Sequence, residues 1–131
     1  MTKEEKQLLL RDLCARLPYH VQCYSNIADH NWCILTPVVI SNLFNATEDL
    51  VLKPYLRHLS SMTGKEWLKL KEWISITSDT NGEIYFGGFR DISAEDTIRA
   101  IDYLISHHFD YRGLIPMGLA LEAYENMYKI A

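Results

Sequence analysis

At 131 residues the chain has the length of one domain, and about two-thirds of its unfolded surface can be buried, enough for one hydrophobic core. With 48% hydrophobic, 11% aromatic and 23% charged residues, disordered, collagen-like and low-complexity classes are excluded. Thirteen Lys and Arg against 17 Asp and Glu leave a net charge of −4, which argues against nucleic acid or an anionic membrane as the default partner.

In chain order, Thr2 and Glu5 make a capping box that opens a helix. Leu10, Leu13, Cys14 and Leu17 follow at i, i+3, i+4 and i+7, and Pro18 ends it. From His20 to Leu52 the pattern changes. Val21, Cys23 and the run Trp32–Ile40 are rich in β-branched and aromatic residues, broken by turn-formers at 25–26, 29–31 and 42–45. They predict two or three short antiparallel strands, with Pro37 placing the second at a sheet edge or starting it late, and Leu50-Val51-Leu52 as a third.

Thr63 and Glu66 form a second capping box, for a helix from Gly64 toward Ile74 with Trp67, Leu70 and Ile74 on one face. Asp79-Thr80-Asn81-Gly82 is a turn signal, so strands over 75–78 and 83–86 would form a hairpin, closed by Gly87-Gly88. Ser93 caps a third helix, with Ile98, Ile101, Leu104 and Ile105 on one face and its end near His107-His108. An ordered loop over 109–118 and a short strand or helix over 119–128 complete the chain. The expected fold is a single α+β domain over 1–131. It has an N-terminal helix, a short antiparallel sheet of two to four strands, two further helices packed on it and an irregular C-terminal segment.

The longest apolar stretch, Leu35–Ile40, is far short of the ~20 residues of a membrane span, and the polar start Met1–Lys6 does not read as a signal peptide. Three cysteines (Cys14, Cys23, Cys33) are too few and too odd for a disulfide framework, which predicts reduced thiols in a cytoplasmic protein.

Two clusters invite a metal reading. His20-x-x-Cys23 and His30-x-x-Cys33 offer four zinc ligand types. Only six residues separate the pairs, and in a strand residues i and i+3 point to opposite faces, so buried thiols and surface imidazoles are the preferred reading. His107, His108 and Asp110 resemble the donors of a small metal-dependent hydrolase. Adjacent helical residues diverge by about 100°, which turns the two imidazoles apart. The polar and aromatic run His107, His108, Asp110, Tyr111 and Arg112 is instead the candidate contact surface. Lys65, Lys69 and Lys71, with Arg57, would make a modest basic patch for weak nucleic-acid binding, with Tyr55, Trp67 and Trp73 as possible stacking residues. The chain has no nucleophile elbow, phosphate loop or dinucleotide fingerprint, and no cofactor is expected.

Three blocks carry a resemblance: Leu10–Tyr19, Lys53–Arg57 with Ser60–Thr63, and Ser106–Ala123, the last containing His-His-Phe-Asp-Tyr-Arg-Gly-Leu-Ile-Pro. Together they resemble a group of small uncharacterised proteins of gut Bacteroidales genomes and of their phages and mobile elements. The resemblance implies a bacterial or phage cytoplasmic setting and brings no activity, cofactor or residue role. The expectation is a non-enzymatic interaction or accessory module with a protein partner, the hydrolase and nucleic-acid readings being the alternatives.

Overall fold

The computed structural model of the chain describes residues 1–46, 49–74, 76–78, 84–86 and 93–128, with 76–78 and 84–86 given by their backbone alone. The first helix, α1 (Lys3–Arg16), opens on the predicted box. The Thr2 hydroxyl accepts from the Glu5 N–H at 3.0 Å, and the Glu5 carboxylate accepts from the Thr2 N–H at 2.8 Å. Two donors that a helix start leaves free are thereby satisfied. A 3₁₀ turn over Leu17–Tyr19 takes over at Pro18. The buried face differs from the expected one: Leu9, Asp12, Leu13 and Arg16 are buried, whereas Cys14 is exposed. Asp12 and Arg16, one turn apart, pair at 2.7 Å, so a neutralised ion pair enters the interior beside the leucines.

Strand β1 (Gln22–Ser25) and strand β2 (Trp32–Ile34) form an antiparallel hairpin, Cys23 facing Cys33. The apolar run beginning at Trp32 forms an edge strand as expected, but only over 32–34; it then turns helical as α2 (Pro37–Phe44), which corrects the expected continuation of the strand to Ile40. The Thr36 hydroxyl accepts from the Val39 N–H at 3.3 Å, and Pro37 sits in the first turn, where a missing N–H leaves nothing unpaired. That start signal outweighs the strand preference of Val38, Val39 and Ile40.

Strand β3 (Leu52–Leu56) begins two residues later than expected and runs through Pro54. Its proline is tolerated for a geometric reason. The Asn26 N–H donates to the Val51 carbonyl, and alternation along an antiparallel ladder turns Lys53 toward β1 and Pro54 N away from it.

Helix α3 (Gly64–Leu70) has the predicted capping box of Thr63 and Glu66, and ends one turn before Ile74. Leu70 and Ile74 are nevertheless both buried, with Trp67 and Trp73 against them. Strands β4 (Ile76–Ser78) and β5 (Ile84–Phe86) pair antiparallel; the turn at 79–82 and Gly87-Gly88 lie outside the described residues. Ser93 caps α4 (Ala94–Ser106), accepting from the Asp96 N–H at 3.1 Å. This helix buries Ala100, Leu104 and Ile105, while Ile98 and Ile101 are exposed, so it docks one position round from the expected stripe.

The C-terminal segment supplies a last strand, β6 (Leu121–Glu122), parallel to β3 with Tyr55 beside Leu121. The sheet is therefore mixed rather than purely antiparallel, in the order β2-β1-β3-β6. The parallel pair is reached through α3 and α4, the kind of long crossover such a pair needs. One apolar cluster joins α1, α2 and the sheet through Leu9, Leu13, Leu43, Val21 and Leu56; a second joins α3 and α4 through Leu70, Ala100, Leu104 and Phe109. The fold is α+β with an N-terminal helix.

Candidate contact surface

The corner after α4 is built around the end of β3. Arg57 donates its backbone N–H to the His108 carbonyl at 2.7 Å and accepts from the Asp110 N–H at 2.8 Å, so residues 108–110 run beside it as a parallel bridge. Its guanidinium is buried against the Phe109 ring and grips both carboxylate oxygens of Glu66 at 2.7 Å. The same guanidinium also donates to the Ser61 and His107 carbonyls. Bidentate geometry of this kind is the condition under which a buried ion pair recovers its desolvation. Burial works to raise the Glu66 carboxyl, but Arg57 and the Thr63 N–H overcome it and hold it at about 2.

The two histidines face apart. His107 is 35% exposed, stacks on Tyr103 and places Nδ1 3.0 Å from the ionised Glu66, so Nδ1 carries the proton it donates. His108 adopts a left-handed φ of 66° and stacks on Tyr128 at 3.8 Å between ring centres. Burial, followed by the charges of Arg16, His107 and Arg57, lowers its imidazole to about 4, so it is neutral at pH 7.

The acid of the corner is used by the backbone. Both oxygens of the buried Asp110 accept, from the Leu114 N–H at 2.8 Å and the Ile115 N–H at 2.9 Å, which fixes the turn that follows. Arg112 turns instead toward Asp12, its Nε 3.3 Å from a carboxylate oxygen, and lies near the half-buried Tyr111 ring. Asp12 also holds Arg16, whose Nη2 donates to the Phe109 carbonyl at 2.7 Å. His107, His108 and Asp110 therefore share a corner without sharing a point where an ion would sit. Among the described residues no group of three His, Cys, Asp or Glu side chains is arranged to hold a metal.

The other sequence candidates are dispersed. His20 and His30 are exposed, each at a left-handed backbone position in a turn, while Cys23 and Cys33 point into the sheet's inner side. Lys65 and Lys71 are exposed; Lys69 is engaged with Glu72 at 3.1 Å and lies over the Trp73 ring. Arg57, expected to extend that basic patch, is buried with Glu66. Trp67 and Trp73 pack on the second cluster, and Tyr55 meets Tyr124 edge to face.

The surface that sequence reasoning passed over is the free edge of the sheet. Trp32 is 44% exposed and Ile34 40%. Both lie on the outer face, the Trp32 indole donating to the Gln22 amide oxygen at 2.9 Å. The Leu35 N–H donates to the Val21 carbonyl, so alternation directs Cys33 toward β1 and the backbone groups of Trp32 and Ile34 away from the sheet. The Trp32 N–H is taken by the Asp29 carbonyl; among the described residues no strand pairs with this edge. A signal was present. Trp-Cys-Ile-Leu is apolar at both alternating sets of positions, whereas a strand with one wet face carries polar residues at one set.

No protein-family model, curated protein or solved structure matches this chain. Among the described residues no helix is long and apolar enough to cross a membrane.

Proposed function

We propose that this protein is a non-enzymatic interaction module that takes an extended, apolar segment of a protein partner against the outer edge of β2. The observation that carries the reading is the coincidence, at Trp32 and Ile34, of exposed apolar side chains with backbone groups turned out of the sheet. Added strands gain main-chain hydrogen bonds from such an edge and side-chain selectivity from its alternating residues. The polar groups of the corner at 107–112 argue in the same direction, because internal partners already engage Glu66, His107 and Asp110. They serve as scaffold in this reading, and the hydrolase alternative would need those groups released. The setting, on the strength of the resemblance, is an accessory role in the cytoplasm of a bacterium bearing a phage or mobile element.

The test is selection of random peptides displayed on phage against the folded protein, followed by titration of the selected peptides into the wild type and Ile34→Pro. Ile34 N–H faces away from β1, so proline there blocks an added strand while sparing the hairpin. Peptides with alternating apolar residues that shift the Trp32 fluorescence and lose binding to Ile34→Pro are expected. Failure to select any peptide, or peptides that bind the variant equally well, would sink the proposal.

A further inference from the structure

Cys23 and Cys33 stand directly opposite each other in the β1–β2 ladder, both as free thiols. Opposed residues of adjacent strands send their side chains to the same face. Here it is the inner face, where Cys23 is fully buried and Cys33 packs on the same cluster with part of its surface open. The Leu35 N–H to Val21 carbonyl bond sets the two cysteines in a hydrogen-bonded pair, which places their Cα atoms about 5.5 Å apart. That separation falls within the roughly 4.4–6.8 Å a disulfide spans. In a hydrogen-bonded pair the opposed Cβ atoms lie at the wide end of the range, about 5.5 Å apart, against a mean near ~3.8 Å in a disulfide, so the strands must close by on the order of 1.5 Å there. β2 is three residues long and, among the described residues, is held from one side only, so it has room to move. A cavity of about 180 Å³, lined by Cys33, Ser25, Ala28, Val39 and Leu52, opens beside the pair.

We infer that Cys23 and Cys33 are a reversible modification site, which a small-molecule disulfide such as oxidised glutathione converts to a cross-strand disulfide. The Cys33 thiol, the more accessible of the two, loses its proton and attacks one glutathione sulfur. A mixed disulfide forms on Cys33 and one reduced glutathione leaves. The Cys23 thiolate then attacks the Cys33 sulfur and expels the second reduced glutathione, so two thiols are oxidised and one external disulfide is reduced. Burial, with Cys33 nearby, pushes the Cys23 thiol up to about 12, and burial raises Cys33 as well. Both are therefore protonated at neutral pH, and the exchange is slow there and quickens as pH rises.

The test uses the full chain carrying Cys14→Ser, which removes the exposed third thiol. It is incubated folded with oxidised glutathione at neutral pH and about two units higher, then mapped by mass spectrometry of its peptides. The expected result is one internal 23–33 bond, formed faster at the higher pH and reversed by dithiothreitol; adding Cys23→Ser should leave a single glutathione on Cys33. A glutathione adduct that persists on Cys33 with Cys23 present, or two unreacted thiols at the higher pH, would overturn the inference.

Discussion

The two ends of the sheet are finished in opposite ways. Beyond β3, the ladder continues into β6 and the Arg57–Phe109 bridge, and the charges that gather there are driven inside and paired: Arg57 with Glu66, Arg16 with Asp12. At the far side, β2 keeps no such cover among the described residues and shows Trp32 and Ile34 to solvent. One end places ions where apolar groups would be expected, and the other places apolar groups where ions would be. Buried ion pairs contribute little net stability but penalise any arrangement that separates them, so they suit a scaffold. Exposed apolar side chains on a sheet edge contribute nothing to the fold and suit a contact.

The largest effect that would sharpen this contrast is expected from Glu66→Ala. It leaves the buried Arg57 guanidinium without its carboxylate, and a loss of about 3–5 kcal/mol in urea unfolding is predicted. A loss below about 1 kcal/mol would show that the pair is not buried in solution.

Tyr128→Phe comes next. The Tyr128 hydroxyl accepts from the Gln22 N–H at 2.8 Å and donates to the Tyr55 carbonyl at 2.8 Å, bridging β1 and β3 where the C-terminal segment crosses them. Removing it leaves both backbone groups unpaired, and a loss of about 1–3 kcal/mol is expected in the same assay.

Acid should separate two steps. The folded His108 is lowered to about 4 from an ordinary 6.5, so the unfolded chain takes up its proton first as pH falls. Its contribution is complete above pH 6.5 and is lost between there and about 4. Glu66, lowered to about 2 from 4.5, contributes fully above 4.5 and is lost as pH falls toward 2. In a series of urea titrations across pH, His108→Asn should flatten the upper step and leave the lower one. The asparagine tolerates the left-handed backbone at this position.

The smallest expected effect on the fold is that of Trp32→Lys. The side chain is 44% exposed on an edge strand, so stability should stay within about 0.5 kcal/mol of wild type.

Legibility in the sequence followed the range of the interaction. The boxes at Thr2/Glu5 and Thr63/Glu66 and the cap at Ser93 are local, and each starts a helix where the spacing says. The switch at Thr36-Pro37 is also local, but β-branched Val38, Val39 and Ile40 masked it. Asp12 and Arg16 lie one helical turn apart, and their pairing was readable; their burial was not, since it depends on Phe109, ninety-three residues away. The polar density of 107–112 was visible as composition, while its direction depends on Arg57 and Glu66 arriving from β3 and α3. The apolar residues at both sets of alternating positions in Trp32–Leu35 were a local sign of the exposed face of β2, but that β2 is the edge strand, with no further strand beyond it among the described residues, needed the sheet order, which no single segment encodes.

The most direct measurement is the affinity of a selected extended peptide for three proteins: wild type, Ile34→Pro and Arg112→Ala. Binding abolished by the first substitution and preserved by the second, with both variants folded by circular dichroism, is the predicted result. Binding preserved in Ile34→Pro and lost in Arg112→Ala would move the contact to the corner at 107–112 and contradict the account.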